Sequence, residues 1–127
     1  AKESLMKKYV LILTQLLSAC SSLSQKNISG VYYGVLPCAD CEKIQAELVL
    51  KVNGTYRYNT VYFKNQKEYT FSESGQYRWD TKKTDVIRLV EFDNLAVKVA
   101  PDYVEFYDVE GNPVKSKHNY KLQKVKP

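Results

Sequence analysis

A chain of 127 residues is long enough for one domain with a modest core and too short for two ordinary ones. The formal charge is +5, yet no run of about five like charges occurs and the lysines are scattered among Tyr, Glu and Asp, which argues against a nucleic-acid partner. Three cysteines and one histidine leave few soft ligands, while eleven tyrosines and one tryptophan leave much aromatic surface to bury.

The first segment, MKKYVLILTQLLSAC (Met6 to Cys20), has the layout of an export signal. Lys7 and Lys8 form its charged start, and Tyr9 to Leu17 is an apolar run far shorter than the roughly 20 residues of a membrane-spanning helix. Leu17-Ser18-Ala19-Cys20 resembles the bacterial lipobox, which implies acylation of the Cys20 thiol and cleavage just before it. The expectation is therefore a signal peptide over residues 1–19 and a membrane partner reached through a lipid on Cys20, with Ala1 to Leu5, upstream of Met6, lying outside the natural chain. Ser21 stands where an aspartate would favour inner-membrane retention, so the expected location is the outer membrane of a bacterial envelope. Removing residues 1–19 takes away three lysines and one glutamate, leaving about 108 residues with a formal charge of +3.

Ser21 to Ser29 is polar and aperiodic, so residues 20–29 read as a lipidated tether and residues 30–127 as a single domain. Gly30 to Leu36 is rich in Tyr and Val and predicts a strand. In ELVLKVNGTYRYNTVY, Leu48, Leu50 and Val52 alternate with Glu47, Val49 and Lys51, Tyr56, Tyr58 and Tyr62 alternate with Arg57, Asn59 and Val61, and Asn53-Gly54 between them predicts a type I′ hairpin. Further β-rich runs follow at Glu68 to Phe71, Gly75 to Asp80, Val86 to Phe92, Leu95 to Ala100, Tyr103 to Val109 and Asn119 to Val125, separated by turn-forming residues. No long helical period survives beyond the leader. The pattern predicts an all-β fold: a small antiparallel up-and-down β-barrel of about eight strands. In a barrel of this size the tyrosines and Trp79 are expected to fill the core, with an aromatic ligand cavity as the less favoured reading.

With Cys20 acylated, Cys38 and Cys41 in GVLPCADCEKI are the remaining thiols. In an oxidising compartment a disulfide is their default state, although a loop this short gains little stability from one. A catalytic dithiol of thioredoxin type would sit at a helix N-terminus, whereas this pair enters a β-rich region with Asp40 between the thiols. Structural zinc wants four ligands and is nearly excluded within a monomer that offers two thiols and His118, but soft copper(I) could be held by the reduced pair. Structural disulfide, redox or copper(I) sensing, and an incidental pair all stay open on the residues alone. His118 reads as a surface or barrel-end residue. Paired acids, a Ser/His/Asp set and a phosphate loop do not stand out, so the expectation is a protein that is not an enzyme and needs no cofactor beyond a possible copper(I).

In combination, GVLPCADCEKI, ELVLKVNGTY, SGQYRW and FYDVEGNPVKSKHNYKL resemble the N-terminal domain of the NlpE family of outer-membrane lipoproteins, across nearly all of the chain after Cys20. The resemblance implies a lipocalin-like barrel with Cys38 and Cys41 near one end, a lipid on Cys20, and a link to copper resistance and to envelope-stress signalling through a Cpx-type sensor kinase. The resemblance also implies that full-length members carry a C-terminal OB-fold domain with further cysteines, and the matching motifs here lie before Pro127. Two rival readings accompany it: a lipocalin-like carrier of a small ligand, and a structural lipoprotein whose cysteines brace a loop. Oligomeric state is left open, with strand-exchanged dimers conceivable for a small barrel.

Overall fold

The computed structural model describes residues 27–125. The signal peptide expected over residues 1–19 and the lipid site expected at Cys20 lie outside the described residues. Eight strands follow in chain order: β1 Gly30–Leu36, β2 Lys43–Leu50, β3 Thr55–Lys64, β4 Lys67–Trp79, β5 Val86–Leu89, β6 Leu95–Val99, β7 Tyr103–Phe106 and β8 Lys121–Lys124. Each pairs antiparallel with the next, and β8 returns to β1 to close an up-and-down barrel, as the strand pattern predicts. Closure removes the free edges that an open meander would expose.

The alternation of the sequence sets which face turns inward. Ala46, Leu48 and Leu50 of β2, Ile87 and Leu89 of β5, Val97 and Val99 of β6, Val104 and Phe106 of β7, and Leu122 of β8 are all buried in one cluster with Tyr32 and Tyr56. Each large aliphatic chain there contributes about 1.5–3 kcal/mol by leaving water. Ile28, which the sequence places in the polar tether, belongs to this cluster as well, and its carbonyl accepts a 2.8 Å bond from the Tyr32 hydroxyl. The ordered barrel thus begins before Gly30.

At the seam, β1 and β8 share only the pairs Tyr32 with Lys124 and Tyr33 with Gln123. The approach is close: a Cβ on Gly34 would lie 2.8 Å from the Lys121 carbonyl oxygen and 3.0 Å from Leu122 Cδ2. Glycine at this position is what lets the last strand dock.

The first long hairpin forms where expected, but its turn differs. Gly54 (φ 87°) donates to the Lys51 carbonyl at 3.1 Å, Lys51 N–H donates to Thr55 at 2.9 Å, and Asn53 is not in a positive-φ conformation. This is a three-residue loop with a glycine bulge rather than a two-residue type I′ turn. Register explains the difference. A two-residue Asn-Gly turn would set Leu50 opposite Arg57, whereas the observed loop pairs Leu50 with Tyr56 and keeps both on the buried face. Positive φ at two consecutive residues, the mark of type I′, occurs instead at Asn65-Gln66 between β3 and β4 and at Asp93-Asn94 between β5 and β6.

The two runs read as separate strands, Glu68 to Phe71 and Gly75 to Asp80, are one 13-residue strand, β4. Its register with β3 is continuous from Thr55↔Gln76 to Lys64↔Lys67, while on its other side only Tyr77, Arg78 and Trp79 pair with β5. β4 therefore runs on past the end of β5, while β3 stays paired with β2 as far as Phe63. Elsewhere a polar network fixes the EGNP turn: Arg88 donates to Asp80 at 2.9 Å and to the Val109 carbonyl at 2.6 Å, and Lys83 donates to the Gly111 carbonyl at 2.8 Å.

Candidate functional site

The loop between β1 and β2 carries Pro37 and both free-standing cysteines. Cys38 and Cys41 are joined in a disulfide with Cα atoms 5.4 Å apart. Both are half-buried, whereas Ala39, Asp40 and Glu42 are exposed. The loop is a bend with no helix behind it, so no helix dipole is available to lower a thiol pKa.

Asp40 Oδ1 lies 3.6 Å from Cys38 Sγ, and the Lys43 carbonyl oxygen lies 3.5 Å from Cys41 Sγ. In the disulfide neither sulfur carries a proton, so these are contacts. In the dithiol state the same oxygens can accept from the two thiols, and the carboxylate disfavours thiolate. The loop is tied to the barrel by the Glu42 N–H donating to the Phe63 carbonyl at 2.8 Å. A Lys64–Asp40 ion pair at 3.6 Å is exposed on both sides and contributes less than about 1 kcal/mol.

Cys41 and Asp40 also stand at the mouth of an open cavity of about 570 Å³. Tyr58 and Phe92 line it with ring centroids 5.6 Å apart, and Tyr58 also meets Phe106 at 5.5 Å. The β3–β4 ribbon forms a wall from Tyr62, Tyr69 and Phe71, with Tyr62 and Phe71 edge to face at 5.3 Å. Burial, then the neighbouring Tyr62 and Glu73, push the Tyr58 phenol above its ordinary pKa, so it stays protonated at physiological pH. The tyrosines thus divide by position. Tyr32 and Tyr56 fill the core, as the sequence favours, while Tyr58, Tyr62 and Tyr69 line the cavity of the alternative reading. Trp79 belongs with the first group: it packs against the core at the opposite end, beside Ile28 and Val99.

Among the described residues, Cys38, Asp40 and Cys41 bring potential metal-ligand atoms within 4.8 Å of one another. His118 is not in that group and sits exposed in the β7–β8 connection. Asp40 is the member that spacing alone did not assign as a ligand. Phe71 and Phe92 were also missed as site residues, although Phe71 shares the period of Tyr69 along β4.

Residues 32–117 match the profile of the NlpE N-terminal domain. Over 108 residues the chain is 32% identical to the lipoprotein NlpE of Escherichia coli strain K12, covering 84% of this chain and 45% of that protein. The chain therefore spans less than half the length of this relative. Among solved structures, a candidate lipoprotein of Shewanella oneidensis superposes with a TM-score of 0.68 at 32% identity, covering 77% of this chain and 89% of that one. The Cpx pathway activator NlpE of Escherichia coli superposes with a TM-score of 0.59 at 31% identity, covering 80% of this chain and 53% of that one. With the barrel, the profile match over most of its strands and these identities in agreement, the chain belongs to the NlpE family and its barrel is that family's N-terminal domain.

Proposed function

We propose that this domain is the non-enzymatic sensing part of an outer-membrane lipoprotein, anchored through Cys20, whose Cys38/Cys41 pair reports redox or copper(I) status to a Cpx-type envelope sensor kinase. The similarity to a Cpx pathway activator supports the signalling class. The observation that carries the reading is the position of the disulfide: on a half-exposed loop at the cavity mouth, outside the buried cluster, so that it can open while the barrel stays closed. Reduction by a dithiol donor adds two electrons and two protons and frees both thiols. The thiols, with Asp40 beside them, then form the donor set in which the two sulfurs suit a soft cation such as copper(I). Opening the disulfide changes the loop that the partner would meet, and a switch needs such a difference in contact between its two states.

The test is a competition titration of copper(I) against a chromogenic chelator, using the reduced chain with Cys20→Ser beside the same chain carrying Cys38→Ser and Cys41→Ser. Stoichiometric binding lost in the second protein supports the metal branch. Binding that is unchanged removes copper coordination by the pair and leaves redox reporting alone. The aromatic cavity favours one second reading, a carrier of a small apolar ligand. Native mass spectrometry of the purified chain checks it by asking for a co-purifying mass that leaves when Tyr58 or Phe71 is replaced by Ala.

A further inference from the structure

The outer edge of β4 has no partner strand from Lys67 to Gly75 among the described residues, since β5 pairs only with Tyr77 to Trp79. Backbone direction along this edge follows from the ladder. Tyr77 N–H donates to the Gly54 carbonyl, on the β3 side, at 2.9 Å. Because polar groups alternate along an antiparallel strand, Glu73, Phe71, Tyr69 and Lys67 also turn their amides toward β3, and those of Glu68, Thr70, Ser72 and Ser74 point outward. Gln76 agrees with this phase: its carbonyl accepts from the Val90 N–H and its own N–H donates to the Glu91 carboxylate, both on the outer side. Below Gln76 the outward amides find no acceptor within the described residues.

The side chains on this edge are self-complementary about Thr70. If a second β4 runs antiparallel with Thr70 opposite Thr70, Tyr69 faces Phe71, Glu68 faces Ser72, and Lys67 faces Glu73. Aromatic pairs, a Thr–Thr pair and opposite charges are the favourable cross-strand combinations. The phase is the one that works. The outward groups of Glu68, Thr70 and Ser72 fall at hydrogen-bonded positions, while Tyr69/Phe71 and Lys67/Glu73 fall at the alternate positions where side chains approach most closely. A register shifted by one residue in either copy would lose both matches. Tyr69 and Phe71 are 44% and 55% exposed, leaving apolar surface for the pairing to cover.

We propose that the free edge of β4 is a homodimer interface, in which two copies of this chain pair antiparallel through Lys67 to Glu73 about a two-fold axis at Thr70. The contact is isologous and self-limiting, because pairing consumes the β4 edge on each copy. A single strand-to-strand contact is small by the standard of stable complexes, so the dimer is a weak one, with Kd of about 10–100 µM. This inference stands independently of the role of the cysteines.

The experiment is sedimentation equilibrium of the chain with Cys20→Ser, from about 5 µM to 1 mM, with amide hydrogen exchange at both ends of that range. The expected result is a monomer–dimer equilibrium in which the amides of Glu68, Thr70 and Ser72 gain protection at high concentration while those of Tyr69 and Phe71 do not change. Thr70→Pro removes an outward N–H that the β3 ladder does not use and should abolish the dimer while circular dichroism retains the barrel. Lys67→Glu places like charges opposite each other twice and should weaken pairing about tenfold, and Lys67→Glu with Glu73→Lys should restore it. The charge exchange decides the matter even if the proline variant fails to fold. A chain monomeric to 1 mM overturns the proposal, as does a dimer indifferent to the charge exchange, such as one made by swapping whole strands.

Discussion

Replacing Cys38 and Cys41 together by serine removes the disulfide but no buried side chain, so its effect can be worked from the loop alone. The sequence separation is 3, which closes a loop of four residues. Loop-closure entropy for such a ring is about 6 cal/mol/K, or about 2 kcal/mol at 25 °C. The Glu42–Phe63 hydrogen bond stays in place, and neither cysteine belongs to the core cluster, so no cavity term adds to this figure. The expected loss is therefore at most about 2 kcal/mol, with Tm lower by about 10 °C. Urea unfolding followed by far-UV circular dichroism and by Trp79 fluorescence reads both quantities, and the slope m should be unchanged because the same surface is exposed on unfolding. A loss above about 4 kcal/mol, or a clear fall in m, would refute the reasoning. It would mean that the loop is welded to the core, and a redox switch built on it would unfold the barrel.

Three further expectations concern the barrel itself. Asp80 accepts from the Lys82 and Lys83 amides and from Arg88, and these bonds, in that order, lower its pKa from 3.8 to about 2. A carboxyl depressed on folding contributes stability that is complete above its unfolded pKa and is lost as pH falls through the folded value. Asp80→Asn should therefore flatten the acid limb of the stability curve between about pH 4 and pH 2, and an unchanged limb in pH-dependent urea melts would place that sensitivity elsewhere. The Tyr56 hydroxyl is buried with no hydrogen-bond partner among the described residues, so Tyr56→Phe should be neutral or stabilising by up to about 1 kcal/mol; a loss in the same melts would reveal a partner for it. Gly34→Val pushes a side chain into the Lys121 carbonyl and Leu122 at the seam and should cost about 1–3 kcal/mol, with faster amide exchange in β8 as the local sign.

How far the candidate site could be read from the chain differs residue by residue. Cys38 and Cys41 were legible because their spacing is a local fact. The wall and floor of the cavity were not. Phe71 comes from β4 and reaches the site through the β3–β4 ladder, whose register local letters do not state, while Phe92 comes from the β5–β6 loop and meets Tyr58 of β3 only through the closed barrel. Asp40 became a candidate ligand once the loop curled its carboxylate back toward Cys38, a geometry that neighbouring letters do not encode.

The sequence by itself determined the fold class, because the period-two alternation of apolar residues requires a sheet with one buried face and short turns leave only antiparallel neighbours. Tertiary structure decided three things that are relations between distant segments. The turn after β2 takes three residues because Leu50 and Tyr56 must share the inner face, overriding the Asn-Gly preference. Ile28 joins the core because β1 delivers Tyr32 beneath it, although its neighbours in sequence are polar. The two short β runs at Glu68 and Gly75 fuse into β4 because β3 offers a continuous ladder along all of it, while β5 is too short to cover its far edge. Local propensity names the elements. Where they end and what they leave exposed depends on the partners that closure brings to them.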